Sequence, residues 1–197
     1  REILTTKTFW IPVAALVPIN AAFGGVQFNL GAYIADLGYD QSLAAQLIAI
    51  TSLMMIIGKF FFGYMGDRID HRKLYWIMAW LLTIGLFLFE GSPARRDLLI
   101  AAGLQGFATG GVMPLMGIIY PARFGTLSFG KVLGYVNLVI MIGGFGSIFS
   151  GWVFDLTGSY NIAFQVFIAL ILPGSIIIFF LPPPEAGKEK PNQDSLL

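Results

Sequence analysis

The stretch Gly63-Tyr64-Met65-Gly66-Asp67-Arg68-Ile69-Asp70-His71-Arg72-Lys73 closes one apolar run, Leu43 to Gly66, and another begins immediately afterwards at Leu74. A membrane segment, a charged hairpin and a second membrane segment are written there, because lipid-embedded helices confine charge to the links between them. The rest of the chain has the same layout. Of its 197 residues 56% are apolar and 12% charged, and the mean hydropathy is +0.76, far from the values of water-soluble domains. A net charge of +1 says little about partners. With no cysteine there is no disulfide, thiolate metal site or cysteine nucleophile, and a single histidine leaves no multi-histidine site.

A helix needs about 20 mostly apolar residues to cross a bilayer. Six runs qualify: residues 9–34, 43–66, 74–89, 98–120, 132–154 and 162–181. None alternates as barrel strands do, so the expected fold is an all-α membrane protein with six transmembrane helices bundled over residues 9–181. The links are short and insert no soluble domain. Residues 1–8 open on Arg1 and are too polar for a secretory signal, so they read as the end of a link in a longer chain. Residues 182–197 begin Pro182-Pro183-Pro184 and read as a disordered tail. Arg1, Lys7, Arg68, Arg72, Lys73, Arg123, Lys131, Lys188 and Lys190 fall on one side, against Arg95 and Arg96 on the other. That bias predicts both termini in the cytoplasm and an integral protein of a plasma or inner membrane.

The second run carries Gly58, Gly63 and Asp67, and the fifth carries Gly146, Gly151 and Asp155 at the same offset. Runs one to three and four to six therefore read as two copies. Three helices is an odd number, so the second copy enters from the opposite face, giving an inverted three-helix repeat of the kind that builds secondary transporters. An aspartate at a helix C-terminus faces the negative end of the macrodipole and calls for a partner. For Asp67 the partners on offer are Arg68, Arg72, Lys73 or the N–H groups of a neighbouring helix; for Asp155, a helix terminus or backbone amides. Two readings stand: solvated loop carboxylates, or latches that hold two helices in one conformation and release them in another.

These residues resemble the major facilitator superfamily, whose signature hairpin has a glycine, three residues, Asp-Arg, then a glycine and a basic cluster. Gly63, Asp67, Arg68, Arg72 and Lys73 match it. Asp70 stands where the second glycine is usual and His71 where a basic residue is common, departures that resemble the copy in the C-terminal half. Phe124-Gly125, Phe129-Gly130-Lys131-Val132-Leu133-Gly134 and Gly151-Trp152-Val153-Phe154-Asp155-Leu156-Thr157-Gly158-Ser159-Tyr160 look like helix junctions of monocarboxylate and oxalate/formate-type porters. The resemblance implies helices seven to twelve of a twelve-helix secondary carrier that moves a small organic anion by alternating access. Its partners would be the lipid bilayer, the N-terminal six-helix half and a small-molecule substrate; no cofactor, metal or nucleic acid is implied.

In such carriers substrate sits near the bilayer midplane between the two halves. Lys59 is the sharpest residue, because an ionisable side chain inside a span is costly and by default functional. It precedes Asp67 by about 12 Å along a helix and shares a face with Gly63 and Asp67. The competing role is to snorkel to headgroups or pair with Asp67. Monocarboxylate porters carry an arginine in this register, so the resemblance implies a contact with a substrate carboxylate, though lysine lacks the bidentate fork.

The first run holds Asn20, Gln27, Asn29 and Tyr33 beside Pro12, Pro18 and Gly24-Gly25. That density of polar groups and breakers predicts a kink or break facing a cavity. Asn29 and Tyr33 are read as cavity residues, with Gln27 and Asn137 as further binding candidates; Asn20 is read as helix packing. Gln105 and Thr109 are weaker candidates, and Ala102, Gly106 and Gly110 form a small-residue stripe for close packing. None of the acidic residues lies mid-span. Gly125-Thr126-Leu127-Ser128-Phe129-Gly130-Lys131 mimics a phosphate loop, but Val132 replaces the magnesium-binding hydroxyl and no strand precedes it. Rival functions are a drug or sugar transporter of the same superfamily, or a carrier-like membrane protein that does not transport. An intramembrane enzyme is disfavoured, since no nucleophile, acid–base pair or metal cluster faces the interior.

Overall fold

In the computed structural model, residues 3–125 and 128–182 are described, and every regular element among them is helical. The first apolar run forms α1 (Lys7–Gln27) and α2 (Leu30–Asp36), the second α3 (Gln41–Gly66) and the third α4 (His71–Leu88). The fourth run is α5 (Arg95–Gly110), α6 (Val112–Ile119) and the short α7 (Pro121–Phe124). The fifth divides into α8 (Phe129–Ile140) and α9 (Phe145–Thr157) around a 3-10 turn at Met141–Gly144. The sixth, α10 (Asn161–Ile177), closes in a 3-10 turn at Ile178–Phe180. Five of these columns are long and apolar enough to cross a membrane. The remaining one, α4, has 18 residues and spends its first turn on His71-Arg72-Lys73. The tail from residue 183 and Thr126-Leu127 of the phosphate-loop mimic lie outside the described residues.

Two columns form the centre. Just over half of the spanning windows of α1 and of α5–α7 is buried (56% each), against 28% for α3 and 22% for α8–α9. α3 and α4 pack on α5, while α9 and α10 pack on α1, and α4 meets α10. Exchanging columns one, two and three for four, five and six maps each of these seams onto another or onto itself, as an inverted repeat requires. The repeated glycines mark the corresponding seams. A Cβ at Gly58 would strike the carbonyl oxygen of Phe107 on α5, and one at Gly146 would strike that of Ala21 on α1.

The α3–α5 seam is the tighter one. Gly106 and Gly110 press against the carbonyls of Thr51 and Met55, and the buried Thr51 Oγ1 donates to Ala102 O across the seam at 3.3 Å. Small residues let two backbones approach where no water-driven force acts between helices. On the other side α3 and α9 share no packed seam, so the bundle is closed at the back by α4 and α10 and open at the front.

The basic end is tied together by carbonyls left without helical donors. Arg123 donates through Nε and a terminal guanidinium nitrogen to Pro182 O (3.1 and 2.8 Å) and through the other nitrogen to Ile119 O at 3.1 Å. Arg72 donates to Leu181 O. Asp70 caps α4 by accepting from the Arg72 N–H at 2.8 Å, which supplies a local reason for an aspartate at that position. At the opposite end Tyr39 donates to Pro93 O at 3.1 Å and the Gly91 N–H to Asn161 Oδ1 at 3.0 Å. Gly158, at φ 68°, stops α9 in the left-handed conformation that favours glycine.

Candidate functional site

Column one breaks where its polar residues cluster. α1 ends at Gln27 and α2 resumes at Leu30, with Asn29 at φ −101° and ψ 3° between them. The Asn29 amide fills the gap: Nδ2 lies 3.0 Å from Gly25 O, 3.0 Å from Ser147 O and 2.8 Å from Ser150 Oγ. Two amide hydrogens serve three acceptors, one of them back along α1 and two on α9. Ser150, fully buried, donates in turn to Gly25 O at 2.9 Å. The predicted break is present, and Asn29 staples it to α9.

Tyr33 is buried in an aromatic cluster with Phe89, Tyr160 and Phe164, ring centroids 5.6–5.9 Å away. Its hydroxyl donates to Phe89 O at the end of α4. Both Asn29 and Tyr33 therefore have partners inside this bundle. Asn20 donates to Leu16 O of its own helix at 2.9 Å, and Thr109 to Gln105 O at 2.7 Å.

Four other positions have unspent chemistry. Lys59 is exposed nearly three-quarters of the way along α3, one residue past the glycine that seats that helix on α5. Among the described residues its ammonium has no hydrogen-bond or ion-pair partner. Among the described residues Gln27, half-buried, has no partner for its enclosed Oε1, and Gln105, almost fully buried, has none for Nε2. Asn137 is exposed on α8. The structure does not gather these residues into one pocket: Lys59 and Asn137 stand on α3 and α8, which share no packed seam.

The hairpin residues divide by role. Asp67 ends α3 and Asp155 lies in the last turn of α9; both are exposed, and neither carboxylate has a hydrogen-bond or ion-pair partner among the described residues. Gly63 lies beside Pro114 of α6 and Gly151 beside Asn29. Arg68 folds over the Tyr64 ring at 4.0 Å instead of reaching Asp67, while Lys73 is exposed. Sequence reasoning missed the Ser147–Ser150 acceptors, the Arg123 clamp and the Asp70 cap. Only the cap left a signal, an aspartate one residue before a helix. Among the described residues no cluster of His, Cys, Asp and Glu could hold a metal.

The family model of the Major Facilitator Superfamily matches residues 5–196. The chain belongs to that superfamily. Similar proteins include monocarboxylate transporter 13 of Rattus norvegicus, 31% identical over 171 residues that make up 85% of this chain and 40% of that protein. Monocarboxylate transporter 11 of Homo sapiens is 25% identical over 221 residues, covering 100% of this chain and 47% of that protein. A multidrug resistance protein B homolog of Mycobacterium tuberculosis is 28% identical over 158 residues, covering 79% and 28% respectively. The chain thus spans less than half the length of the curated relatives it matches. As a major facilitator chain it is an integral membrane protein of a family of transporters, not of enzymes, and its helices are consistent with half of that fold.

Proposed function

We propose that this chain is the C-terminal six-helix half of a secondary active transporter for small organic anions, working by alternating access against an N-terminal six-helix half. One observation supports the reading: Lys59, a cation inside an apolar helix, has no hydrogen-bond or ion-pair partner among the described residues. A charge in a span is retained where it meets substrate, a counter-charge or water. The monocarboxylate transporters among the relatives favour a carboxylate as that counterpart. The open front of the bundle is where the second half docks, and Gln27 and Asn137 supply further polar contacts near it. Asn29 and Tyr33 hold the shape of the broken column and act on substrate through that shape.

Asp67 with Arg68, Arg72 and Lys73 at the basic end, and Asp155 with Gly151 at the other, serve as the paired latches. Neither carboxylate has a hydrogen-bond or ion-pair partner among the described residues, and each awaits a helix N-terminus of the opposite half. With the basic end in the cytoplasm, the Asp67 latch closes the inner gate. The test is uptake of a labelled monocarboxylate into vesicles bearing the intact protein. Saturable uptake inhibited by other monocarboxylates, and not by hydrophobic cations, is expected. The multidrug relative supports a second reading: inhibition by hydrophobic cations alone, undiminished in Lys59→Gln, would favour it.

A further inference from the structure

The back of the bundle carries a groove of about 530 Å³ between α4 and α10, a volume in the range of small-molecule sites. Trp76 and Trp80 of α4 line it together with Leu172 and Ile176 of α10 and Phe179 and Phe180 of the 3-10 turn after it, above a floor that includes the buried Ala79. Its walls run along the helices: Trp76 to Thr83 on α4, and Ile171 on α10 to Phe180 in the 3-10 turn after it, each roughly 10–14 Å in extent. Trp76 Nε1 donates to Ser175 O at 3.0 Å, which joins the two walls at one level.

One end of the groove is basic. Arg72 lies a turn before Trp76 on α4, and its guanidinium carbon is 5.9 Å from the Phe179 ring centroid. Lys73 beside it is exposed. Of the neighbouring carboxylates, Asp70 is engaged in capping α4, and Asp67 belongs to the end of α3. Arg68, Arg72, Lys73 and Arg123 against Asp67 and Asp70 leave this end net positive.

From this juxtaposition, an apolar aromatic slot running down from a cluster of cations, we infer that the α4–α10 groove is a binding site for one anionic phospholipid. An acyl chain lies along Trp76 and Trp80, and the phosphate is held by Arg72 and Lys73. A phosphate accepts charge-assisted hydrogen bonds from both side chains, and basic residues at the mouth of a hydrophobic cleft recognise acidic headgroups. A transmembrane helix is the poorer occupant. Close helix pairing needs small residues on the rim, and the rim here is Trp76 (42% exposed), Trp80 (61%), Phe179 (60%) and Phe180 (70%). The groove lies opposite the open front, so a second half docked at the front leaves it facing lipid. The inference is independent of what is transported.

The intact protein is reconstituted in phosphatidylcholine vesicles that carry a minor fraction of either brominated phosphatidylglycerol or brominated phosphatidylcholine. The reading is that part of the tryptophan quenching which disappears in Trp76→Phe/Trp80→Phe. The brominated phosphatidylglycerol should quench several-fold more than the phosphatidylcholine, and Lys73→Gln and Arg72→Gln/Lys73→Gln should remove the excess. Arg95→Gln/Arg96→Gln, at the opposite end, should preserve it. Lys73→Gln guards against a folding defect, because Arg72 also holds the Leu181 carbonyl. Equal quenching by the two lipids, or an excess that survives Lys73→Gln in a folded protein, would overturn the inference. So would shielding from both lipids, with Trp80→Cys cross-linking this otherwise cysteine-free chain to a second copy or to a partner helix.

Discussion

His71 and Asn29 show how single side chains hold the ends and the break of this bundle. The His71 ring is half-buried in the hairpin ahead of the apolar part of α4. Burial first, and the Arg123 guanidinium second, push its pKa below the ordinary 6.5. Its Nδ1, neutral, lies 3.3 Å from a guanidinium nitrogen of Arg123 and accepts from it. A histidine whose folded pKa is depressed contributes stability above its unfolded value of about 6.5 that is lost as pH falls through the lower folded value. Melting temperature should therefore drop as the medium is acidified through that window, and His71→Gln, which cannot titrate, should flatten the drop. An unchanged pH profile in the variant would remove His71 from the account. For Asn29→Ala the expected loss is about 1–2 kcal/mol, the upper range of hydrogen bonds between membrane helices, read from reversible unfolding in detergent. Ser150→Ala should cost less, because Asn29 keeps Gly25 and Ser147 as acceptors.

At the scale of elements, the seams are set by glycines that the sequence displayed and by partners it did not. Gly58→Ala and Gly106→Ala each drive a methyl into a backbone carbonyl of the facing helix, and overpacking of that kind costs about 1–3 kcal/mol. Gly117→Ala and Gly130→Ala meet nothing within 4 Å and should be neutral or stabilising, by up to about 1 kcal/mol from helix propensity. Thermal unfolding of the four variants checks the contrast, and equal effects would contradict the packing described. The six columns and the repeated glycines were legible in sequence because hydropathy and small-residue spacing are local properties. The division of column five at Met141–Gly144 was not. There the run offers no polar residue beside its Gly143-Gly144 pair, and the close approach of Gly143 to Asn20 and Ala21 of α1 is a contact between residues remote in sequence. For the same reason Asn29 and Tyr33 were visible as polar groups, while their engagement with Ser150 and Phe89 depends on which helices meet.

The whole molecule is a two-faced bundle. Its back, α4 and α10, presents tryptophan and phenylalanine, and its front lies between α3 and α9, which share no packed seam. The hairpin at residues 63–73 touches both aspects of that design, with Arg72 pinning the Leu181 carbonyl after the 3-10 turn that follows α10 and the Asp67 carboxylate at the end of α3 unpaired among the described residues. If Asp67 is a latch for the opposite half, Asp67→Asn should slow transport by roughly tenfold or more while leaving substrate affinity within a few-fold. That outcome corresponds to the loss of about 1.4 kcal/mol from one conformation only. A fall in affinity with an unchanged maximal rate would argue against the latch. The measurement that tests the central claim most directly is the initial rate of labelled monocarboxylate uptake by the intact protein carrying Lys59→Ala or Lys59→Arg, normalised to folded protein. The account predicts that uptake collapses in Lys59→Ala and is largely retained in Lys59→Arg; undiminished uptake in Lys59→Ala would contradict it.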